Sequence, residues 1–315
     1  RVLAHVACPI LDIRVSDGDA PLFLHYKHLT VGTDPMGWIV ENSELRQALA
    51  ARAGGLECLH VCAPAQVESV VRDDHVVTIC LTGGRVVSAP VLLACDGRQS
   101  QERRRAGIPT TAWNYSQTGI VCTVLHEQPH RNVAHERFLP AGPFAILPMV
   151  QDDEGRHRSS IVWTEDKRLA PALLDLDQEA FTAELGRRFG DFLGALQVSG
   201  PRWSYPLGLL HAERYVDHRL ALVGDAAHAI HPIAGQGLNM GLRDVAALAE
   251  VLVDARRLGL DIGNAHVLQR YQRWRRFDNT LLMFATDGLN RLFSNDMALV
   301  RLVRDLGLAA VDVLP

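Results

Sequence analysis

The sequence has no apolar run long enough to cross a bilayer, no signal peptide and no excess of basic residues. A membrane-spanning helix needs about 20 consecutive apolar residues, and no stretch of the chain approaches that length. The 32 basic and 36 acidic residues are well mixed, with a net charge of -4, so no positive stripe is available for a nucleic-acid backbone. We therefore expect a soluble, cytoplasmic protein, at most peripheral to the inner membrane, that does not bind nucleic acid.

The cysteines do not have the spacing of a disulfide framework. Most lie within apolar runs, as reduced thiols of a protein core do, and we interpret all six as core filler: Cys8, Cys58, Cys62, Cys80, Cys95 and Cys122. The segment from Cys58 to Cys62 alternates like a strand and has no second ligand cluster nearby, which argues against a metal clip. We expect no metal site.

What the chain does have is the composition of a globular protein. Of its 315 residues, 48% are hydrophobic and 22% are charged, which is enough for a substantial core, divided between two domains. The chain opens with Arg1 in "RVLAHVACPI". We interpret this opening as something other than a native amino terminus.

Strand and helix signals alternate along the chain. Residues 9–26 indicate a hairpin around a Ser-Asp-Gly-Asp turn, and 66–97 indicate a meander rich in β-branched residues. Helices are expected after Asn42 or Ser43, over 177–194 with Phe181, Leu185 and Phe189 at helical spacing, and from Leu238. Further helices are expected over about 265–292 and 297–312.

This order predicts an α/β fold with an α+β insertion. We expect a discontinuous Rossmann-type domain in two parts, residues 1–107 and 205–315, enclosing an antiparallel-sheet domain at 108–204. Some strands of the first part are expected to face that sheet.

The most informative stretch is "LVGDAAHAIHPIAGQGLNMGLRD", residues 222–244. A buried strand brings Gly224 and Asp225 to a sheet edge, where small residues let a flat ligand approach the backbone. Pro232 stiffens the following loop, and the amides of Leu238 and Asn239 at a helix start suit an atom that gains negative charge.

An ordinary tight turn before a capped helix is the alternative, but the whole string favours a bound cofactor. The candidate contacts in this stretch are Gly224, Asp225, Pro232, Gly235, Gln236, Gly237, Leu238 and Asn239. We expect His228 and His231 beside them to be structural, since they lack carboxylate or cysteine company.

Residues 224–244 resemble the second FAD-binding motif of the para-hydroxybenzoate hydroxylase class of flavin monooxygenases. "CDGRQSQER" at 95–103 resembles the Asp-Gly motif of that class, although Cys95 stands where a small residue is usual. "GWIVENSELRQAL" at 37–49 resembles the helix that reaches the cofactor. The resemblance makes Asp96, Asn42 and Arg46 further candidate cofactor contacts.

Within this class, "HERFLPAGPFAILPM", "SSIVWTED" and "TDGLNRLFSND" are similar to the hydroxylases of ubiquinone biosynthesis. The resemblance implies an FAD-dependent monooxygenase that uses NAD(P)H and O2, through a flavin hydroperoxide, to hydroxylate a prenylated phenol. A flavin hydroxylase of a small soluble phenol and a flavin-free scaffold are the alternatives. No side chain is assigned as catalytic.

The family's G-x-G-x-x-G fingerprint for the ADP half of FAD is absent from the sequence. We expect that a full βαβ unit, about 30 residues or more, is missing from this fold. The truncated chain is then a weak FAD binder at best.

Two further expectations concern the substrate. Phe138, Phe144, Leu147 and Pro148 are candidate pocket residues, although apolar strand residues are more often plain core. Because a prenyl tail is membrane-soluble, the helix expected from Met297 to Val313 is a candidate surface-seeking face, although packing within the protein is its commoner role. A biosynthetic complex is another possible partner.

Overall fold

The computed structural model describes residues 2–18 and 23–293 and has the mixed α/β architecture that the sequence predicts. Its strands are β1 Cys8–Ile10, β2 Asp12–Asp17, β3 Phe23–Lys27, β4 Gly37–Ile39, β5 Val67–Arg72, β6 Val77–Leu81, β7 Val86–Ala89, β8 Leu92–Ala94, β9 Thr110–His126, β10 Val133–Leu139, β11 Gly142–Met149, β12 His157–Asp166, β13 Leu196–Ala212, β14 Val216–Asp217, β15 Leu220–Leu222 and β16 His228–Ala229. Its helices are α1 His28–Val31, α2 Asn42–Gly54, α3 Gln101–Arg105, α4 Ala170–Leu174, α5 Gln178–Phe189, α6 Gln236–Arg257 and α7 Ala265–Phe293.

The chain divides into two compact units. Unit 1 combines residues up to His60 with Ser116–Leu207 and the residues from Leu289 onward, and unit 2 combines Val61–Tyr115 with Gly208–Gly288. The first 60 residues therefore group with the middle of the chain. The functional boundaries at 107/108 and 204/205 remain a prediction.

Unit 1 is built on a large sheet in which neighbouring strands follow the order β9-β12-β11-β10-β2-β3. The predicted hairpin is present, because β2 and β3 pair antiparallel. Strand β2 then joins β10 in parallel, so the amino-terminal strands extend the sheet of the middle segment instead of facing it.

One face of this sheet is covered by α5. Phe181, Leu185 and Phe189 are fully buried and pack in one cluster with Ile161 and Trp163 of β12, as helical spacing predicts. Asp177 caps the helix by accepting a hydrogen bond from the Ala180 amide at 2.8 Å, which satisfies one of the amides that a helix start leaves open.

Unit 2 contains a short parallel pair, β15 beside β8, flanked by the antiparallel β14. Helices α6 and α7 contribute Leu248, Val251 and Tyr271 to the core around β15, and the Tyr271 hydroxyl donates to the Leu222 carbonyl at 2.8 Å. Strands β5, β6 and β7 form the predicted meander.

Several expectations need correction. Residues 58–62 form no strand; Cys58 lies in a turn and is exposed, and so is Cys95. Core filler describes only Cys8 and Cys122, which are buried. Helix α6 begins at Gln236, two residues before the predicted start, and the helix expected from Met297 lies outside the described residues.

Candidate functional site

The two cofactor motifs lie at one edge of the small sheet in unit 2. Strands β8 and β15 are parallel neighbours, with Leu222 opposite Ala94, and the Val223 amide donates to the Ala94 carbonyl at 3.0 Å. Their carboxyl ends therefore bring the segments that start at Asp96 and Gly224 side by side. Open α/β sheets bind their ligands at such an edge.

Gly224 has a backbone that a larger residue would strain. Its φ is +59°, in the left-handed region that favours glycine, and it opens a 3-10 turn, Gly224–Ala226. A Cβ on Gly224 would lie 3.7 Å from the Gly241 Cα, and one on Gly241 would lie 3.5 Å from the Gly224 Cα. The strand-end turn and α6 therefore approach each other backbone to backbone.

The start of α6 is open. Gly235 precedes it with φ +60°, and no side chain caps this end. Gly237, Leu238 and Asn239 are exposed in the first turn, where amides have no partner within the helix and the helix dipole is positive. This turn can accept a ligand atom that carries negative charge.

Asp225 and Pro232 border the same loop. Asp225 is exposed at the strand end, and Pro232 is partly buried immediately before the 3-10 turn Ile233–Gly235. An exposed carboxylate beside a glycine turn can accept hydrogen bonds from hydroxyl groups of a ligand.

A buried network under the loop was not assigned from the sequence. Asp244 of α6 is fully buried and accepts hydrogen bonds from the Gly224 amide at 3.0 Å, Arg275 Nε at 2.8 Å and Asn279 Nδ2 at 3.1 Å. His228 Nε2 lies 2.6 Å from Asp244 Oδ2, the same oxygen that accepts the hydrogen bond from the Gly224 amide. Burial alone would raise the pKa of Asp244, but the hydrogen bonds and the charges of these partners hold it below its usual value.

This network fixes the loop from below, because one carboxylate joins the strand-end turn, α6 and α7. His228 takes part in this structural network, but the expectation that it lacks carboxylate company is wrong, because Asp244 Oδ2 lies 2.6 Å from its Nε2. The sequence signal was available: Asp244 falls on the buried stripe of an amphipathic helix, where an acid needs partners.

Asp96 uses its carboxylate within its own motif. It accepts hydrogen bonds from the amides of Gln101 at 2.7 Å and Glu102 at 3.2 Å, at the start of α3. Burial opposes ionisation, but a hydrogen bond from Ser100 and these amides keep the pKa of Asp96 below its usual value. We therefore expect Asp96 to orient the motif.

Arg103 connects the two motifs. It is buried, and its guanidinium donates to the Ala226 carbonyl at 2.7 Å and to the Arg98 carbonyl at 2.9 Å. Arg46, by contrast, belongs to unit 1 and is exposed on α2. Its role as a cofactor contact stays a prediction.

A family model described as an FAD binding domain matches residues 23–277. This chain belongs to that FAD-binding family. Over 304 residues the chain is 55% identical to the ubiquinone hydroxylase UbiL of Rhodospirillum rubrum, covering 96% of this chain and 70% of the relative. It is 36% identical over 277 residues to 3-demethoxyubiquinol 3-hydroxylase of Escherichia coli K12, covering 88% and 69%.

Solved structures support the same fold. PqsL of Pseudomonas aeruginosa, described as a probable FAD-dependent monooxygenase, superposes with a TM-score of 0.79 at 23% identity, covering 97% of this chain and 82% of that one. At this identity the likeness shows the fold alone.

The loop of this FAD-binding family member fits a flavin. In unit 2, the close backbone approach at Gly224 provides a surface for a flat ring. The open first turn of α6 provides amide donors, and the exposed Asp225 provides an acceptor for ligand hydroxyl groups. FAD is therefore the cofactor, and the individual contacts remain predictions.

His231 is a buried histidine next to this loop. Neither ring nitrogen has a hydrogen-bond partner among the described residues, and burial lowers its pKa to about 4. Its ring packs edge-on against Tyr115 at 5.3 Å, and the Tyr115 hydroxyl donates to Asp287 at 2.7 Å. The described residues hold no group of three or more metal-ligating side chains.

Proposed function

We propose that this FAD-dependent monooxygenase hydroxylates the aromatic ring of a ubiquinone precursor. The single observation that carries the cofactor chemistry is the pairing of the two motifs at the carboxyl ends of β8 and β15. The substrate class is supported by the 55% identity to a ubiquinone hydroxylase across 96% of the chain.

The residues of the loop have separate tasks in this proposal. Asp225 accepts hydrogen bonds from ribityl hydroxyls, and the Gly224 turn lets the flat ring approach the backbone. The amides of Leu238 and Asn239 and the dipole of α6 stabilise negative charge at one edge of the ring. FAD, when bound, accepts hydride from NAD(P)H and activates O2.

The protein's contribution to the reaction is to hold the aromatic ring and to exclude water. Excluding water strengthens the hydrogen bonds that orient the ring and prevents loss of the activated oxygen as peroxide. We propose that the substrate carries a prenyl tail, because the named relatives act in ubiquinone chemistry.

The test measures NAD(P)H oxidation and hydroxylated product with a prenylated phenol and with the same phenol lacking the tail. The proposal expects product from both, with a higher kcat/KM for the prenylated phenol. Higher kcat/KM for the small phenol would favour a soluble substrate. Purified protein without flavin absorbance would favour a scaffold and would contradict the proposal.

A bilayer contact is the second part of the proposal. No helix among residues 2–18 and 23–293 is long and apolar enough to span a membrane. Helix α7 instead has an exposed apolar row at positions three or four residues apart: Trp274, Phe277, Leu281 and Phe284. Exposed Arg270, Arg273 and Arg276 flank it, which fits peripheral binding to an anionic lipid surface.

Sedimentation with vesicles tests this contact. We expect the protein to pellet with phosphatidylserine vesicles and to remain in the supernatant with neutral phosphatidylcholine vesicles. Phe277→Glu should reduce pelleting at least several-fold, whereas Val71→Glu, at an exposed position of the meander, should not. Equal pelleting of Phe277→Glu and the unsubstituted protein would contradict α7 as the contact.

A further inference from the structure

His231 is a fully buried residue of the loop that joins β16 to α6. Its exposed fraction is 0%, and it directly precedes Pro232 and the 3-10 turn Ile233–Gly235 that leads into α6. The loop is therefore anchored in the interior of unit 2 just before the open first turn of α6.

The surroundings of this anchor are apolar. Residues from β9, β13, α6, α7 and the loop itself pack together here: Leu209, Ile230, Met240 and Met283, with Trp113 and Tyr115 against them. The His231 ring meets the Tyr115 ring edge-on, with 5.3 Å between the ring centroids. All of these residues belong to unit 2, so the anchor is complete within one unit.

The imidazole has no polar partner in this cluster. Neither Nδ1 nor Nε2 of His231 makes a hydrogen bond within the described residues. An uncharged ring tolerates such a site at a modest cost, whereas a buried imidazolium needs an acceptor or water. Burial accordingly lowers the pKa of His231 to about 4, and the charge of Asp287 opposes this shift only in part.

The titratable groups of the neighbouring elements do not compensate a positive charge at this position. Asp287 of α7 already accepts a hydrogen bond from the Tyr115 hydroxyl of β9 at 2.7 Å. Asp244 of α6 belongs to the buried network under the loop. His211 of β13 is a base, so its protonation would add positive charge. A protonated His231 would therefore have no hydrogen-bonded acid among the described residues.

A short, stiff segment connects His231 to the helix start. The ring of Pro232 fixes its φ, which is -70°, and its carbonyl accepts a hydrogen bond from the Gly235 amide at 3.0 Å. Helix α6 begins at the next residue. If the His231 ring left its site, this turn and the first-turn amides of α6 would have to shift with it.

We propose that His231 is a positioning residue that holds the cofactor loop in its FAD-binding form only while its ring is uncharged. A proton from solvent makes the ring an imidazolium, which leaves the apolar cluster and displaces the first turn of α6. This inference rests on the proposed role of the loop as the cofactor site and adds acid sensitivity to it.

The sign of the pH dependence follows from the two states of the ring. Outside the cluster, a histidine has an ordinary pKa of about 6.5, whereas in the ordered loop the pKa is about 4. The displaced loop therefore binds more protons between these values. The ordered loop should be fully favoured above about pH 6.5 and should lose this advantage as the pH falls toward 4.

Fluorescence titration with FAD at pH 7 and pH 5 tests the proposal. From the two pKa values, we expect the FAD dissociation constant of the unsubstituted protein to rise by up to about 20-fold at pH 5. His231→Phe keeps a flat ring against Tyr115 but cannot take up a proton. Its dissociation constant should match that of the unsubstituted protein at pH 7 and change little at pH 5. His231→Leu is a second uncharged variant with the same expected result.

His211→Phe is the matched control. His211 is another buried histidine of unit 2 whose pKa burial lowers to about 4, but it lies on β13 with its ring 5.6 Å from that of Tyr215. The substitution can change the acid stability of the whole fold. The weaker FAD binding at pH 5 should remain in this variant.

Hydrogen exchange without FAD gives an independent readout. The amides of residues 235 and 240–242 are hydrogen-bonded in the loop turn and in the early part of α6. After correction for the intrinsic effect of pH, they should be less protected at pH 5 than at pH 7 in the unsubstituted protein, but equally protected in His231→Phe. The amides of α5 in unit 1 should stay protected in both proteins.

The outcomes separate the inference from the proposal on which it rests. If His231→Phe and the unsubstituted protein show the same pH dependence in both measurements, the assignment of His231 is wrong. If His231→Phe binds FAD much more weakly at pH 7 with unchanged loop exchange, His231 is a direct contact and the positioning role is wrong. If the exchange difference is present but the unsubstituted protein binds no FAD at either pH, the cofactor role of the loop fails instead.

Discussion

Asp244 and Glu136 are two acids in apolar surroundings, one in each unit, and the protein treats them differently. Asp244 is surrounded by donors from three elements, and its pKa is lowered. Glu136 of β10 lies between Val15 of β2 and Ala145 of β11 in the sheet register. It has no hydrogen-bond donor among the described residues, and burial raises its pKa to about 7. A fully bonded buried acid orders the backbone, whereas an unbonded one is available to a ligand.

The largest effect should come from Asp244→Asn. The substitution removes the buried carboxylate that pairs with Arg275 at 2.8 Å and leaves only the half-exposed Asp278 as its acidic partner, so we expect the free energy of unfolding to fall by about 3–5 kcal/mol. Thermal unfolding and flavin retention measure it. The control is Asp254→Asn, at a more exposed position of the same helix, which should change thermal unfolding and flavin retention little. Equal losses in the two variants would contradict the special role of the network.

For Glu136→Gln we expect the free energy of unfolding to rise rather than fall, at a pH above neutrality. The folded pKa of about 7 lies above the ordinary 4.5, so the folded state favours the protonated acid. From this group, the unsubstituted protein should be most stable below pH 4.5 and should lose about 3 kcal/mol as the pH rises from there through 7. Denaturant unfolding at pH 5 and pH 8 measures the difference: the variant should gain relative stability only at the higher pH.

A smaller and more local effect is expected for Asp225→Ala. Loss of a hydrogen bond to a charged acceptor costs about 1.5–3 kcal/mol, so the FAD dissociation constant should rise roughly 10- to 150-fold with little change in unfolding. Fluorescence titration with FAD measures the constant. Glu250→Ala, exposed on α6, is the control, and unchanged FAD affinity in Asp225→Ala would remove the main cofactor contact of the proposal.

The smallest effect should follow Asp96→Ala. The carboxylate satisfies two amides at the start of α3, and loss of such a cap costs about 1 kcal/mol. Melting temperature and FAD affinity should both decline slightly. A loss of FAD affinity as large as that of Asp225→Ala would instead make Asp96 a direct contact.

Much of the local structure followed from the sequence pattern. The spacing of Phe181, Leu185 and Phe189 predicted a helix with one buried face, because only those positions fall on one side at 3.6 residues per turn. The glycine-rich loop at 224–239 and the antiparallel pairing of β2 with β3 were likewise predictable from residue chemistry. The five-residue alternation from Cys58 was misleading, since a strand also needs a partner to complete its hydrogen bonds.

The sequence by itself indicated the family, the cofactor and most of the helices and strands, because these depend on short spacings and on residues close together in the chain. Only the tertiary structure decided that Asp244 would collect donors from Gly224, His228 and Arg275, and that Glu136 would lie in a row with Val15 and Ala145. The reason is physical. Whether a buried acid finds hydrogen-bond donors depends on which distant strands and helices pack against it, and that packing is a property of the whole fold.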